Sequence, residues 1–260
     1  MKTWKKVCLG LLISPVVLAA AAAWFIWGGI SNPAGRKTIG EIRTPMGYER
    51  VAVAPESYGA YLRDIPLQRR GACIRYSDGS LAYWQYLGYA VLDLPILSKD
   101  EQCADVAIRL RAEYLWSQGR YGEIRFRTVK GKDVPYGGGR DRKAFERYLR
   151  QVYSAANTAS LRKQLQPKPV SSVAPGDVLV YAGGNGHYGH AVTVADVAVN
   201  RRTGSVAVLL VEGSMPAQSA HICRNITYPF FSPWIKLDPK NATILSSGFL
   251  HFCQSDLRVW

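Results

Sequence analysis

The sequence predicts an α+β domain in which helices pack on an antiparallel sheet, preceded by one N-terminal transmembrane helix. Three observations predict this class: an uncharged apolar segment near the N-terminus, helical patterns in the middle of the chain, and three β-rich runs after Gly176. Helices followed by an antiparallel meander are typical of α+β domains. The 260 residues are 48% hydrophobic and 20% charged, which is an ordinary globular composition.

Residues 1–30 are predicted to be a signal anchor. The basic start "MKTWKK" precedes about two dozen uncharged residues, a length that spans a bilayer as a helix. Because the lysines stay in the cytoplasm, the domain that follows should face the periplasm or exterior. We therefore predict a single-pass protein of the inner (cytoplasmic) membrane. A cleaved signal peptide is the alternative, since the run of alanines offers small-residue cleavage sites.

The rest of the chain divides into a linker and one domain. Residues 31–50 are polar, contain Pro and Gly, and are predicted to form a linker into a domain at 51–260. The clearest helix in that domain is "KDEQCADVAIRLRAEYLWSQG", with Asp100 as its cap and Cys103 on the apolar face of its first turn. Further helices are predicted over 142–157 and 159–165.

The sheet is predicted from the three β-rich runs. "DVLVYA" is followed by "HAVTVADVAV" and "SVAVLLVEG", all rich in β-branched residues. The short segment "NRRTG" joins the last two runs and reads as a hairpin turn. These runs therefore indicate an antiparallel meander.

A cysteine, a histidine and a carboxylate are the candidates for catalysis. Cys103 lies at a helix N-terminus, where the helix dipole lowers the pKa of a thiol. His190 opens a strand and is a candidate base. Counting residue pairs across the hairpin places His190 opposite a position between Glu212 and Ser214, and Glu212 is the only carboxylate there. Cys103, His190 and Glu212 thus form a possible cysteine–histidine–acid site, with Ser214 and Gln218 as alternatives for the third role.

Other roles are common for these residue types. A cysteine on the apolar face of a helix is more often buried filler or half of a disulfide. The compartment permits disulfides, and if Cys103 is a working thiol, at most one bridge remains among three cysteines: Cys73, Cys223 and Cys253.

The other histidines give no strong signal for a metal. His187 reads as a polar loop residue. A metal site made of His187, His190 and His221 is disfavoured, because the spacing is not helical and no carboxylate stands at a conventional offset. No cofactor is predicted.

The formal net charge of +14 favours polyanionic partners. The basic residues are scattered, and neither zinc-finger spacing nor the aromatic pattern of RNA-recognition domains is present. Nucleic acid is therefore not an expected partner. An anionic envelope polymer such as peptidoglycan, or a membrane surface, fits the charge better.

Four motifs carry a resemblance to a known family. "QCADVAIRLRAEYL", "PGDVLVYAGG", "GHAVTVADVA" and "SMPAQSAHI" resemble the bacterial domain-of-unknown-function family 4846, over nearly all of residues 40–260. A cysteine at a helix start, then "GDV" and "GHAV" leading strands, is more distantly similar to NlpC/P60 and CHAP papain-like peptidases and amidases. That similarity implies a papain-like fold with a helical region inserted around 119–170.

The distant similarity also implies roles for particular residues. Cys103 would be the nucleophile, His190 the base and Glu212 the residue that orients it, with Gln102 and the Cys103 backbone N–H as oxyanion donors. The expected function is that of a membrane-anchored, extracytoplasmic cysteine peptidase or amidase acting on cell-wall peptides. The alternative is a catalytically inactive structural or binding module of an envelope protein complex.

Overall fold

The computed structural model describes residues 30–184, 188–247 and 250–260. The predicted signal anchor therefore lies almost wholly outside the described residues. Within them, no helix has both the length and the apolar character needed to cross a membrane.

The predicted α+β class is confirmed. In the described part of the chain the α-helices are α1 (Tyr58–Asp64), α2 (Cys103–Ser117), α3 (Arg142–Tyr153) and α4 (Thr158–Gln164). The cap of α2 differs from the prediction, because the helix begins at Cys103 with Gln102 as its N-cap. Helix α3 ends earlier than predicted, since Asn157 caps α4 by accepting a hydrogen bond from the Ser160 backbone N–H at 2.9 Å.

The strands form one large antiparallel sheet and two small hairpins. The strands are β1 (Glu49–Arg50), β2 (Gly88–Val91), β3 (Arg125–Arg127), β4 (Asp133–Pro135), β5 (Gln166–Pro167), β6 (Val178–Tyr181), β7 (His190–Val199), β8 (Val206–Glu212), β9 (His221–Cys223), β10 (Ile235–Leu237), β11 (Thr243–Ser247), β12 (Leu250–Cys253) and β13 (Leu257–Val259). The large sheet runs in the order β2-β9-β8-β7-β6-β13-β5, with β1 also paired to β7 and β10 to β8. Pairs β3–β4 and β11–β12 stand apart as hairpins.

The two central strands, β7 and β8, form the predicted hairpin. Val199 pairs with Val206 and Thr193 with Val211, with a bulge between Val194 and Asp196. The strands read as almost continuous apolar runs because both faces of the sheet are covered. On the helical face β7 presents alanines, whereas its other face carries valines that pack with β11, β12 and β13. Small side chains on the first face let a helix approach the sheet closely.

Helix α2 is the central element of the helical layer. It is buried nearly all round, as expected for a helix enclosed by other elements. Its one buried cation, Arg109, bonds Glu101 at 2.8 Å and lies 3.6 Å from Glu113. This pairing satisfies a charge that would otherwise be costly inside the core.

Residues 31–50, predicted to be a linker, are part of the domain. Ile39 and Ile42 are fully buried in the helical-face core, and the Asn32 side chain is buried and hydrogen-bonded to backbone carbonyls. The segment is polar overall, so its composition does not reveal the two isoleucines whose burial anchors it to the domain. The predicted helical region at 119–170 contains α3, α4 and the β3–β4 hairpin.

A buried ion cluster at the β7 bulge secures this segment. Asp196 is fully buried, and its carboxylate bonds Arg63 at 2.7 Å and Arg50 at 2.5 Å. We expect Asp196→Ala to lower the free energy of unfolding by about 3 kcal/mol, because it leaves two guanidinium groups without their shared anion. Denaturant unfolding measures this. Asp133→Ala, which removes a half-exposed ion pair with Arg127, is the matched control and should cost far less. Equal losses in the two variants would contradict the prediction.

Candidate functional site

The candidate site lies in a cleft of about 1010 Å³ where the start of α2 meets the ends of β7 and β8. Its walls come from segments far apart in sequence, including the α3–α4 connection at 153–159 and the loop after β8. Cys103, His190 and Glu212 all line it. The fold therefore brings together the three residues that the sequence singles out.

Cys103 is the first residue of α2, so its side chain is exposed to the positive end of the helix dipole. The segment just before it is held in place by Glu101, which accepts hydrogen bonds from the Leu97 backbone N–H at 2.6 Å and from Arg109 at 2.8 Å. Burial raises the pKa of Glu101, and the Arg109 guanidinium opposes that effect. The start of the helix, and with it the sulfur, is fixed by this clamp.

His190 is the first residue of β7 and lies close enough to the Cys103 thiol for each group to shift the pKa of the other. Its ring stacks on Phe252 of β12, with 6.3 Å between ring centroids and 27° between planes. The residue before it has to be glycine, since a Cβ on Gly189 would lie 2.2 Å from the Thr158 hydroxyl oxygen. Strand, ring stack and close backbone approach together leave the imidazole little freedom.

Glu212 is the last residue of β8 and binds the far side of the His190 ring. Its Oε2 lies 3.0 Å from His190 Nε2. A carboxylate at this position holds the proton on Nε2, which leaves Nδ1 to face the thiol. The next residue, Gly213, lets the strand end approach α2, because a Cβ there would lie 2.5 Å from Val106 Cγ2.

The three groups shift one another's proton affinities. Burial works against the imidazolium of His190, but its hydrogen bonds to Cys103 and Glu212 and their charges outweigh it and raise its pKa to about 10. Burial also works against the thiolate. The hydrogen bond and charge of His190, with the Ala191 and Ala104 backbone N–H groups, nevertheless lower the pKa of Cys103. The pair is therefore biased towards thiolate and imidazolium, the reactive form of a nucleophilic cysteine.

Glu212 remains a carboxylate despite its burial. Desolvation raises its pKa, but hydrogen bonds from His190 and His221 and the charges of both rings hold the pKa far below its usual range. An anion at this point stabilises the His190 imidazolium across a 3.0 Å contact. The site thus places a thiol, an imidazole and a carboxylate in a row.

The sequence did not identify His221 as part of this row. It is fully buried in β9, directly opposite Glu212 in the β8–β9 register, and its Nε2 lies 3.2 Å from Glu212 Oε1. Cys223 lies on the same strand, and burial and the charge of Glu212 raise the pKa of its thiol well above the ordinary value. From the sequence, His221 is only a candidate ligand of a disfavoured metal site.

The remaining candidates lie elsewhere or play lesser parts. Ser214 and Gln218 line the cleft, but the contact with His190 Nε2 is made by Glu212. His187 lies outside the described residues. His251 is exposed on β12, where its Nδ1 lies 3.0 Å from the Ser246 hydroxyl.

The cysteines and potential metal ligands can be judged only where the chain is described. There, four cysteines are present as free thiols: Cys73, Cys103, Cys223 and Cys253. No group of three or more His, Cys, Asp or Glu side chains in residues 30–184, 188–247 and 250–260 is arranged to hold a metal ion.

Fold and site define an α+β protein with a cysteine–histidine–carboxylate row lining a cleft. The chain belongs to the family described as Domain of unknown function (4846), whose family model matches residues 39–138 and 138–259. No curated protein and no solved structure gives a significant match. The family description assigns no activity, so the chemistry of the site is the basis for inferring a function.

Proposed function

We propose that this protein is a thiol hydrolase that cleaves amide bonds, with Cys103 as nucleophile, His190 as proton carrier and Glu212 as the anion that orients His190. The observation that carries the proposal is the row Cys103–His190–Glu212 at the start of a buried central helix. The His190 ring lies 3.0 Å from the Glu212 carboxylate, and the Cys103 thiol and His190 shift each other's pKa. A helix of this kind packed on an antiparallel sheet also supports a papain-like architecture of the NlpC/P60 or CHAP type.

The first half-reaction forms a thioester. The Cys103 thiolate attacks the amide carbonyl carbon, and the carbonyl oxygen takes up the electron pair as an oxyanion. The backbone N–H of Cys103, which has no intrahelical acceptor at this position, and the Gln102 side chain in the cleft wall are the proposed oxyanion donors. As the C–N bond breaks, the His190 imidazolium gives its proton to the leaving nitrogen, and a free amine departs.

The second half-reaction restores the enzyme. His190, now neutral, accepts a proton from a water molecule that attacks the thioester carbonyl. The C–S bond breaks, the sulfur leaves as thiolate, and the acyl group departs as a carboxylic acid. Glu212 keeps its negative charge throughout and stabilises the imidazolium whenever it forms.

The proposed substrate is a peptide of the cell envelope, in the first instance peptidoglycan. Exposed aromatic and thioether side chains line the cleft, namely Trp84, Tyr188 and Met215, and these favour an extended substrate over a small metabolite. The net charge of +14 suits an anionic wall or membrane surface. We place the domain outside the cytoplasm, attached to the inner membrane by residues 1–30.

A digestion assay tests this function against the inactive binding module of an envelope complex. The full-length protein is incubated with purified peptidoglycan fragments, and newly released amino groups are identified by mass spectrometry, with and without prior iodoacetamide treatment. We expect release that stops when Cys103 is alkylated. A Cys103 thiol that resists alkylation at neutral pH, together with intact fragments, would favour the binding module instead.

A further inference from the structure

His221 has a fixed ring orientation that determines where its protons lie. Its Nδ1 lies 2.9 Å from the backbone carbonyl oxygen of Ser219, which can only accept a hydrogen bond. Nδ1 must therefore carry a hydrogen. The opposite ring nitrogen, Nε2, lies 3.2 Å from Glu212 Oε1, in a position with no measurable solvent exposure.

A carboxylate at that second contact requires a second hydrogen on the ring. If Nε2 carried none, two lone pairs would face each other at 3.2 Å inside the protein, away from water. Glu212 is the anion in this pair, since its other oxygen lies 3.0 Å from His190 Nε2 and a donor there favours the ionised carboxylate. The contact is satisfied when Nε2 also donates, which makes His221 an imidazolium.

The charges along the row support the same assignment. A Cys103 thiolate, a His190 imidazolium, a Glu212 carboxylate and a His221 imidazolium alternate in sign and sum to zero. With a neutral His221 the same buried row would carry one uncompensated negative charge, an arrangement that folded proteins avoid. The Cys223 thiol adds no charge, because burial and the Glu212 anion raise its pKa well above the ordinary value.

We propose that His221 is a doubly protonated positioning residue that shares Glu212 with His190 and thereby sets the pH range in which the Cys103–His190 ion pair exists. Glu212 splits its two oxygens between the rings, Oε2 to His190 and Oε1 to His221. The positive charge of His221 offsets part of the stabilisation that the Glu212 carboxylate gives to the His190 imidazolium. Without it, His190 would hold its proton more tightly and be a poorer proton donor to the leaving nitrogen in the first half-reaction.

The titratable groups around the two rings are few. His190 faces the thiol of Cys103 from α2, Glu212 from β8, and Tyr181 directly opposite on β6, a phenol whose pKa is raised by burial. His221 faces Glu212 from β8, while β2, on its other side, pairs Val91 with it. Glu212 is thus the shared group through which one ring acts on the other.

Nitrogen NMR of the full-length protein labelled with ¹⁵N-histidine tests the proposal without any substrate. In the wild type, both His221 ring nitrogens are expected at imidazolium shifts at pH 7. In His221→Gln, the pH at which His190 loses its proton is expected to rise by about one unit, because a nearby positive charge is gone. His251→Gln, which removes an exposed imidazole outside the cleft, should leave it unchanged.

Either of two results would overturn the proposal: an unprotonated His221 Nε2 in the wild type at pH 7, or an unshifted His190 titration in a folded His221→Gln. The wild-type measurement alone decides the protonation state if the variant fails to fold. The role in turnover rests on the proposed function, but ring protonation does not require hydrolysis. A protein that cleaves no amide can therefore still confirm the paired imidazoles, and an active one can still refute them.

Discussion

Replacing Cys103 by alanine is expected to abolish amide hydrolysis, lowering kcat by about 10⁴-fold or more, as in other enzymes that lose a covalent nucleophile. The sulfur is the atom that bonds to the substrate carbon, and alanine offers nothing in its place. The side chain is small and half-buried, so the fold should survive the change. The measurement is the single-turnover rate on peptidoglycan fragments, with unfolding followed in parallel to confirm an intact domain.

Cys253→Ala is the matched control for this experiment. Cys253 is an exposed thiol on β12 outside the cleft, so its loss should change neither the rate nor the rapid alkylation of the remaining reactive thiol. Cys103→Ala should remove that rapid alkylation. Wild-type hydrolysis by a folded Cys103→Ala protein would end the proposed mechanism, whereas loss of activity in both variants would point to a general effect of thiol removal.

The fold follows from the sequence wherever one residue pattern determines one element. The β-branched runs predict β6, β7 and β8 correctly. Strands covered on both faces of a sheet have nearly continuous apolar sequences, and these runs have that pattern. The composition of 31–50 predicts a linker, but the segment joins the domain through three isolated apolar residues, Ile39, Ile42 and Tyr48. It also contributes Arg50, whose partner Asp196 is 146 residues away. Local composition carries no trace of a contact at that separation.

The site shows the same division between local and distant information. Glu212 could be found because a short hairpin fixes the residues that lie near His190, even though the bulge at Asp196 shifts the count by one. His221 could not, since the eight residues at 213–220 that separate it from Glu212 form a connection too long for a turn type to fix the β8–β9 register. His221, the fourth member of the row, is therefore identified only from the structure.

Glu212→Gln should damage both reactivity and stability, because one carboxylate serves two imidazoles. A glutamine has one acceptor oxygen, so at least one ring faces an amide donor instead. Without the anion, the pKa of His190 falls from about 10 and the pKa of Cys103 rises. We expect hydrolysis to fall by about 10⁴-fold, as when the acid of a catalytic triad is made neutral. Single-turnover rates and the pH dependence of Cys103 alkylation measure this.

The same variant makes a prediction about acid stability with a definite sign. The pKa of Glu212 is depressed in the folded protein, so its stabilisation is complete above the unfolded value of about 4.3 and is lost as the pH falls through the folded value. Glu212→Gln should therefore unfold about 3 kcal/mol more easily at pH 7, and this deficit should shrink below about pH 4. Glu123→Gln, at an exposed ion pair with Arg120, is the control and should show neither effect. A deficit that stays constant from pH 7 to pH 3 would mean that Glu212 acts through packing and not through its charge.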